Sequence, residues 1–445
     1  MLSVLRNRTY RHLFAAQVVA LIGTGLATVA LGLLAYDIAG AEAGSVLGTA
    51  LAIKMAAYVA IAPAIGAVAD RLPRRVLMVS ADLIRAVVAL SLPFVDQVWQ
   101  VYVLIFLLQA ASAAFTPTFQ AVIPDVLPAE RDYTQALSLS RLAYDLESLF
   151  SPALAAVLLS WVTYNWLFLG TVAGFLASAA LVISAVLPKP QTAPRGTGSV
   201  YAKATAGTRL FFAAPQLRAL LVLNLAVAAA SAMVTVNSVV YVRAHLGRGS
   251  ADVSLALGAY GGGSMAVALL LPRLLERVRD RTVMLRGVLL LPLVFAGLGA
   301  LTAVDTGSWR WPVLLLIWAA FGAACAMVLT PTGRLIRRSA PPAERTSAFA
   351  AQFSLSHGCW LLTYPLAGWL GAAAGLESAV AALGAIALAA GALAVWLWPG
   401  KGPVPLEHQH TCLHAHHPHL ADAVRVPGGW RHSHVFLADE LHAHR

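Results

Sequence analysis

The residues best suited to chemistry in this sequence lie after residue 400, where ten of the 13 histidines are found. Histidine recurs two positions apart five times in this tail. In an extended chain, side chains at i and i+2 lie on the same face, so each such pair can chelate one ion. Neutral imidazole is a good ligand for divalent nickel, cobalt, copper and zinc. The tail is therefore predicted to bind a transition metal through His408, His410, Cys412, His414, His416, His417, His419, His432, His434, His442 and His444.

The remaining composition of the tail indicates no other role. Residues 401–445 carry four basic and four acidic side chains, so their net charge is zero. Few of these residues can form a hydrophobic core, which predicts a tail without fixed structure when no ligand is bound. An expression tag would be one unbroken run of histidines, unlike this segment.

A second group of reactive side chains lies inside an apolar segment, residues 134–160. Charges within a bilayer are costly, so they face a partner or an aqueous cavity. Arg141 and Asp145 are four residues apart and can pair on one helical face. A separate polar face carries Ser140, Tyr144, Glu147 and Ser151. We expect Asp145 to be paired structurally and Glu147 to bind a proton or cation, although the two acids can exchange these roles. A purely structural Arg141–Asp145 pair is the alternative.

The chain around these groups is mostly apolar. Hydrophobic residues make up 59% of it and charged residues 11%, whereas soluble domains carry about 25% charged residues. This composition indicates a polytopic membrane protein. The formal net charge of +11 sits in short loops between apolar segments, which is typical of membrane topology and argues against nucleic-acid binding. The basic N-terminus leads straight into a segment of spanning length, so we expect a retained first span and no cleaved signal peptide.

The predicted fold is an all-α membrane protein with twelve transmembrane helices of about 20 residues each. The spans are placed at 12–36, 44–66, 76–95, 99–119, 134–160, 162–187, 216–242, 252–271, 283–304, 311–331, 346–371 and 376–398. Arginine is concentrated in the loops on the side of the two termini, which predicts that both termini and the tail are cytoplasmic. The predicted division is a first half at 1–187, a flexible linker at 188–215, a second half at 216–398 and the tail at 399–445.

The two halves repeat each other in sequence. Thr-Pro-Thr at 116–118 recurs at 330–332, and Pro-Ala-Glu-Arg at 128–131 recurs at 342–345, both 214 positions later. Ser-Leu-Ser at 138–140 answers 354–356 with a small slip. Duplicated halves are typical of transporters that rock one half against the other around a central site.

The loop GAVADRLPRRVLM at 66–78 resembles the conserved loop of the major facilitator superfamily, and PRLLERVRDRTVML in the second half is a degenerate copy. Proline stands at 73 where that family has glycine. The resemblance implies a twelve-helix transporter whose loop forms a charge network that holds the cytoplasmic side closed. The residues that match this gating loop are Gly66, Asp70, Arg71, Arg74 and Arg75.

More of the chain resembles the enterobactin-exporter-like branch of this superfamily, through AYDIAGAEAG and FTPTFQAVIPDVLPAERDYTQALSLSRL. That branch implies proton-driven efflux. Two departures weigh against a broad drug exporter: Phe106 stands near the usual fourth-span arginine, and Ser151-Pro152 replaces a Gly-Pro. With the acid-containing fifth span, the histidine-rich tail makes the chain similar to nickel-resistance permeases.

In the resembled family, spans one, four and seven line the cavity. Imidazole and thiolate in the eleventh span suit nickel, cobalt, zinc or copper, although His357 and Cys359 point to different faces and can equally be packing residues. At the offset of 214, Cys359 takes the place of Asp145. The cavity candidates are Gln17, Thr24, Gln109, Thr116, Tyr144, Ser151, Asn224, Ser231, His357 and Cys359.

These observations predict a monomeric proton/metal antiporter of the bacterial inner membrane that exports Ni²⁺, and also Co²⁺, with the tail collecting metal. No resident cofactor is required, and no nucleotide loop or catalytic triad suggests an enzyme. The first alternative is an exporter of organic compounds, such as siderophores, metal chelates or drugs. The second is a membrane-tethered metal store or sensor. The direction of flux rests on the branch resemblance alone.

Overall fold

The computed structural model describes residues 2–39, 43–68, 72–188, 200–304, 306–340, 344–398, 400, 405–410, 423–427 and 429–435, with some side chains inside these ranges left out. Long helices dominate the described chain. The six long helices of the first half are α1 (Arg8–Ala39), α2 (Ala43–Val68), α3 (Arg74–Ser91), α4 (Val98–Val126), α5 (Glu130–Leu159) and α6 (Tyr164–Ser184).

The second half repeats this arrangement after a shorter helix, α7 (Val200–Ala213). Its long helices are α8 (Pro215–Val239), α9 (Ser250–Arg277), α10 (Asp280–Thr302), α11 (Arg310–Leu329), α13 (Arg345–Ala373) and α14 (Gly375–Leu397), with the short α12 (Thr332–Ser339) between the fourth and fifth. We call the end of the bundle where α1 begins and α14 ends the terminal end.

The twelve predicted spans correspond one to one with the twelve long helices, which confirms the all-α membrane fold. In the described part of the chain, nine segments are long and apolar enough to cross a membrane on their own. The largest boundary difference is in α4, which was predicted to end at 119 but continues through Pro124 to Val126. This extension carries Asp125 into the ion-pair network described below, so tertiary contacts stabilise helix beyond the apolar stretch.

Small residues let pairs of helices approach closely within each half. Gly23 of α1 lies against Gly174 of α6, and Thr171 of α6 donates a hydrogen bond to the Gly23 carbonyl at 2.8 Å. In the second half, a Cβ on Gly322 of α11 would overlap the Tyr260 carbonyl of α9. Because lipid is as apolar as leucine, such close packing rather than the hydrophobic effect holds transmembrane helices together.

The cores of the halves differ in organisation. The second half has one large buried cluster around α8, whose alanine-rich middle is almost wholly inaccessible. The first half has smaller clusters and a buried ion pair between Asp82 and Arg85 of α3. The Arg85 guanidinium lies 4.5 Å from the Phe115 ring centroid and 4.6 Å from that of Phe175, and Ser178 donates to Asp82 at 2.8 Å. These contacts offset part of the free-energy cost of removing the ion pair from water.

The linker, expected to be flexible, contains a helix. Helix α7 packs on α2 of the first half and on α13 of the second half. Its Gly207 lies against the Ser347 carbonyl of α13, and Phe211 is fully buried. An apolar face within a segment rich in small and polar residues explains why composition alone did not indicate this helix.

The tail also differs from its prediction. It contains three short strands, β1 (Pro405–His410), β2 (Val424–Val426) and β3 (Gly429–Val435), in an antiparallel sheet of order β1-β3-β2. The predicted absence of fixed structure is therefore wrong for these residues. Val426 precedes Pro427-Gly428-Gly429 and Trp430 follows it, and proline and glycine between β-branched and aromatic residues are a hairpin signal that the histidine content obscured.

The root of the tail is fixed to the bundle. Arg281 at the start of α10 donates to the Trp398 carbonyl through Nε at 3.2 Å and through Nη2 at 3.0 Å. Trp398 itself is buried. The tail therefore leaves the protein from a defined point on the terminal end.

Candidate transport site between the two halves

The terminal end is closed by ion pairs that cross from one half to the other. Asp125 at the end of α4 accepts Arg74 of its own half at 2.5 Å and Arg345 of the second half at 3.0 Å. Glu130 at the start of α5 pairs with Arg334 of α12 at 3.0 Å and also with Arg338. We call Asp125, Glu130 and their arginine partners the terminal network.

Further contacts extend this network. Arg131 pairs with Glu276 at the end of α9 at 2.8 Å, although both side chains are largely exposed. Arg334, by contrast, is buried and also donates to Thr134 at 2.7 Å. The hydrogen bonds and ion pairs described here between the halves lie between the terminal end and the middle of the bundle. This distribution closes the terminal end.

The structure describes only part of the predicted gating loop. Arg74 belongs to the terminal network, and Arg75 donates to the Ala185 carbonyl at the end of α6 at 2.5 Å. Gly66 lies in the last turn of α2. Asp70 and Arg71 lie outside the described residues, so their predicted gating role stays a prediction.

Nearer the middle, α5 crosses α9 through a charged cluster. Arg141 and Asp145 form the expected ion pair at 2.9 Å. Ser264 of α9 joins both: it accepts from Arg141 Nε at 3.1 Å and donates to Asp145 Oδ2 at 2.7 Å. Asp145 is 4% exposed. The pair predicted within one helix therefore also connects the two halves, through a serine that the sequence did not single out.

At the same level, α13 crosses α2 through an aromatic cluster. The Tyr58 ring lies 4.8 Å from the ring of Phe353 and 4.6 Å from that of His357. The Trp360 ring lies 5.0 Å from His357, and the Trp360 Nε1 is buried without a described hydrogen-bond partner. Ser354 donates to the Val59 carbonyl across the halves at 2.7 Å.

The hydrogen bond of His357 determines which of its ring nitrogens carries the hydrogen. Its Nδ1 lies 2.7 Å from the Phe353 carbonyl. A carbonyl oxygen can only accept, so Nδ1 carries the hydrogen, and in the neutral ring Nε2 keeps its lone pair. This is the arrangement in which imidazole serves as a metal ligand or proton acceptor.

Two charged side chains of the first half lie beside this cluster. Lys54 of α2 and Glu147 of α5 attract each other electrostatically, at a separation longer than a salt bridge. The Lys54 Nζ lies 5.8 Å from the Tyr58 ring centroid, and Lys54 is also the charged neighbour of His357. Lys54 and His357 therefore both lie beside the Tyr58 ring, and Glu147 is within electrostatic range of Lys54.

The polar face of α5 that the helical spacing predicted lies against α1. Ser140 donates to Gln17 at 3.0 Å, and a Cβ on Gly25 would overlap Ser151 and lie 3.1 Å from Glu147 Oε1. Tyr144 on the same face is 38% exposed. Thr24 instead bonds within its own helix, to the Ala20 carbonyl.

The remaining predicted cavity residues lie in different parts of the bundle. Gln109 accepts from Tyr58 at 2.6 Å and so belongs to the centre, whereas Thr116 is half-buried further along α4. Asn224 of α8 donates to Gln352 of α13 at 3.3 Å, inside the second half. Ser231 is hydrogen-bonded to Tyr260 of α9, also within the second half.

Cys359 does not share a site with His357. It is buried and bonded to the Leu355 carbonyl of its own helix. The neighbouring positions of its stripe, Gln352 and Thr363, bond to α8. Cys359 therefore lies on the packing face of α13, whereas His357 lies on the face toward α2.

Among the side chains that the structure describes, no group of three or more His, Cys, Asp or Glu is placed to hold a metal ion. The backbone is described for His408, His410, His432 and His434, without their side chains. Outside the described residues lie the other predicted tail ligands, Cys412, His414, His416, His417, His419, His442 and His444.

Several central residues were not among the predicted site residues. Tyr58, Phe353 and Trp360 were not singled out because aromatic residues are common in apolar helices. Lys54 gave a clear signal, as a lone charge in the middle of a span. Ser264 gave none, because its importance comes entirely from residues more than a hundred positions away.

The architecture and the duplicated halves agree with a family comparison. The sequence model of the Major Facilitator Superfamily matches residues 13–309 and 220–411, which together cover most of the chain. The chain belongs to the Major Facilitator Superfamily. The family consists of membrane transporters, and the long apolar helices fit a multi-pass membrane protein of this family.

Relatives within this superfamily include efflux proteins. Macrolide efflux protein A of Enterococcus faecalis is 30% identical over 153 residues, which cover 32% of this chain and 47% of that protein. Macrolide efflux protein A of Streptococcus pyogenes is 29% identical over 182 residues, covering 40% and 44%. The uncharacterized MFS-type transporter YfiS of Bacillus subtilis is 27% identical over 146 residues, covering 32% and 35%. The chain thus matches less than half the length of these relatives.

Among solved structures, a bacterial homologue of the iron transporter ferroportin in an outward-facing state is similar, with a TM-score of 0.71. The superposition covers 87% of this chain and 99% of that one at 14% identity. At this identity the likeness shows the fold alone. The branch within the superfamily, the substrate and the membrane orientation remain predictions.

Proposed function

We propose that this chain is a secondary active exporter of a divalent transition metal, Ni²⁺ or Co²⁺, which it exchanges for protons across the bacterial inner membrane. The observation that carries the proposal is that Lys54 and His357 both lie beside the Tyr58 ring, with Glu147 in electrostatic range of Lys54. Charges at this depth face a partner or a substrate pathway. The terminal network and the α2–α13 crossing would supply the contacts that change as the halves rock.

The central residues support exchange of a cation for a proton. The Lys54 ammonium and a metal dication would compete for the Glu147 carboxylate, because two positive charges near one acid repel each other. Metal binding at Glu147 and the Nε2 of His357 would therefore favour loss of the Lys54 proton. Return of a proton to Lys54 or Glu147 from the opposite side would release the metal. Asp145, tied to Arg141 and Ser264, positions α5.

The histidine-rich tail has the ligand chemistry to collect the metal. It leaves the bundle at Trp398 on the terminal end, which is the side predicted to be cytoplasmic. A tail at that place would bind metal before it enters the central site. Its imidazoles must be neutral to bind, so collection would weaken as the pH falls below about 6.5.

A second candidate is export of an organic compound or a metal chelate. The aromatic rings of Tyr58, Phe353 and Trp360 beside Lys54 favour it, since such rings pack against large organic substrates. The macrolide efflux relatives favour it as well. In that case the tail would sense metal or have no part in transport.

The test is metal accumulation in cells loaded with Ni²⁺, Co²⁺ or Zn²⁺. Cells would carry empty vector, the full chain, Glu147→Gln, or a truncation after Gly400. Glu377→Gln is the matched control, because Glu377 is an exposed acid at the start of α14, outside the central site. Macrolide and dye accumulation would be measured in the same strains.

The proposal expects the full chain and Glu377→Gln to lower one metal. Glu147→Gln should abolish the effect, and the truncation should keep it only at higher metal load. Lowered macrolide or dye with unchanged metal would replace the first candidate by the second. No change in any compound, with all proteins present in the membrane, would refute export altogether.

A further inference from the structure

The strand register of the tail brings histidines from distant positions together. Strands β1 and β3 pair antiparallel, and His408 lies directly opposite His432. His410 lies opposite Trp430, and His434 lies opposite Leu406. Paired residues of an antiparallel sheet share a face, as do residues two apart along one strand. All four histidines are therefore placed on one face of the sheet.

Their arrangement on this face is a connected row. His434 and His432 are neighbours along β3, His432 and His408 are neighbours across the strands, and His408 and His410 are neighbours along β1. Opposite residues have Cβ atoms about 5 Å apart, and residues two apart along a strand are separated by about 7 Å. His410 and His434, at the two ends, are about 14 Å apart, which is too far to share one ion.

The other face of the two strands is chemically different. Glu407 lies opposite Ser433, and Gln409 lies opposite Arg431. No histidine occupies that face in the described strands. The segregation by face does not follow from the high histidine content of the tail alone, since a shift of one residue in register would place His408 and His432 on opposite faces.

We propose that this face is a preformed site for one divalent transition metal, held by the cross-strand pair His408 and His432 and by one flanking histidine. Three imidazoles and an open position suit Ni²⁺, Co²⁺ or Zn²⁺, which accept nitrogen ligands in several geometries. The sheet holds the ligands of two distant segments in place before metal binds, so it removes part of the ordering cost. We expect the other tail histidines, which lie outside the described residues, to bind more weakly.

This inference extends the collecting role under the proposed function, but it is tested without transport. The full chain is purified in detergent and titrated with NiSO₄ at pH 7.5 by calorimetry. The variant His408→Ala/His432→Ala removes the cross-strand pair. The matched control His414→Ala/His416→Ala removes the same number of histidines, at the same spacing as the predicted chelating pairs but between the strands.

The cross-strand variant should weaken the tightest Ni²⁺ site at least about tenfold, whereas the control should change its Kd by less than about twofold. A variant with the same histidine count, His408→Gln with Gln409→His, moves one ligand to the other face and should lose the site equally. Two results would overturn the proposal and show an unstructured chelating tail. One is an equal loss of Ni²⁺ affinity in the cross-strand variant and its control. The other is unchanged Ni²⁺ affinity in His408→Gln/Gln409→His.

The register itself has an independent test. Glu407→Cys with Ser433→Cys, in a Cys412→Ser background, places two thiols directly opposite each other on the face without histidines. Oxidation with diamide should close an intramolecular disulfide, seen as a loss of two free thiols by mass spectrometry. Failure to form it would refute the sheet. Metal accumulation can fail while this site binds nickel, so failure of the site is distinguishable from failure of the proposed function.

Discussion

The two crossings that join the halves occupy equivalent places in the repeat and use different chemistry. At one, Arg141 and Asp145 of α5 meet Ser264 of α9. At the other, His357 of α13 meets Tyr58 of α2. The first is a charged cluster closed by hydrogen bonds, and the second is a cluster of rings packed edge to face beside Lys54.

The equivalence is visible in the sequence once the contacts are known. Arg71 and Arg277 in the two copies of the gating loop are 206 positions apart, and the same offset relates Tyr58 to Ser264. The Ser-Leu-Ser repeat is 216 positions apart, and that offset relates Arg141 to His357. Cys359 is therefore not the repeat equivalent of Asp145, although the offset of 214 indicated that it was. The offset between the two halves changes from 214 to 216 before the crossing.

This difference indicates that the two crossings, although equivalent in the repeat, have different roles. A buried ion pair requires one fixed geometry, since removing either partner leaves an uncompensated charge. Packed rings tolerate small shifts, and an imidazole can gain or lose a proton or a metal. We therefore expect the α5–α9 crossing to hold the halves together and the α2–α13 crossing to respond to substrate.

The largest effect should come from breaking the charged crossing. Asp145→Asn leaves the half-buried Arg141 without its counter-charge, and we expect the free energy of unfolding to fall by about 3 kcal/mol. Thermal unfolding of the purified protein in detergent measures this loss. The double variant Arg141→Gln/Asp145→Asn removes both charges and should recover most of the stability. No recovery in the double variant would contradict a role based on the charge pair.

A smaller effect is expected at the terminal network. Asp125→Asn weakens the contact between α4 and Arg345 and should favour opening of the terminal end by about 1 to 2 kcal/mol. The population of the open state can be followed with a spin-label pair across the terminal ends of α4 and α13. Asp96→Asn, an exposed loop acid outside the network, is the control. Equal distances in Asp125→Asn and the parent chain would argue against the network as a closing device.

Replacing the serine at the charged crossing should lower the free energy of unfolding by a smaller amount. Ser264→Ala removes two hydrogen bonds but leaves the Arg141–Asp145 pair in place, so a loss of about 1 kcal/mol is expected. The same thermal unfolding measurement applies. Ser254→Ala, which alters a serine elsewhere on α9, should leave stability unchanged. A loss as large as that of Asp145→Asn would mean that the serine, rather than the ion pair, joins the halves.

The smallest effect on stability is expected at the aromatic crossing. His357→Phe preserves a flat ring against Tyr58 and Phe353, so unfolding should change by less than about 1 kcal/mol. Metal transport should nevertheless be lost, because phenylalanine offers no nitrogen. Full transport by the Phe variant would remove His357 from the site and leave the α2–α13 crossing purely structural.

The sequence predicted the helices well because bilayer thickness fixes their length. It also predicted the Arg141–Asp145 pair and the polar face of α5, since both follow from helical spacing within one segment. It could not predict Ser264 or Tyr58, whose roles arise from packing between helices far apart in the chain. The terminal network was predicted only as a basic loop, because its acids Asp125 and Glu130 come from a different part of the repeat.

The strands of the tail escaped prediction for another reason. Low hydrophobicity and high polarity indicate a segment that cannot bury a core. The sheet instead depends on backbone hydrogen bonds and on the Pro-Gly-Gly turn, and its histidine face becomes apparent only from the register.

The anchoring of Trp398 by Arg281 has a quantitative consequence for any ligand held by the tail. Pro405, where β1 begins, is at most about 25 Å from that anchor along an extended chain. An ion bound to the sheet is thereby confined to a small volume next to the terminal end. Confinement of that kind corresponds to an effective concentration on the order of 10 mM. A short tether can thus raise the local metal concentration at the terminal end far above that of the surrounding solution.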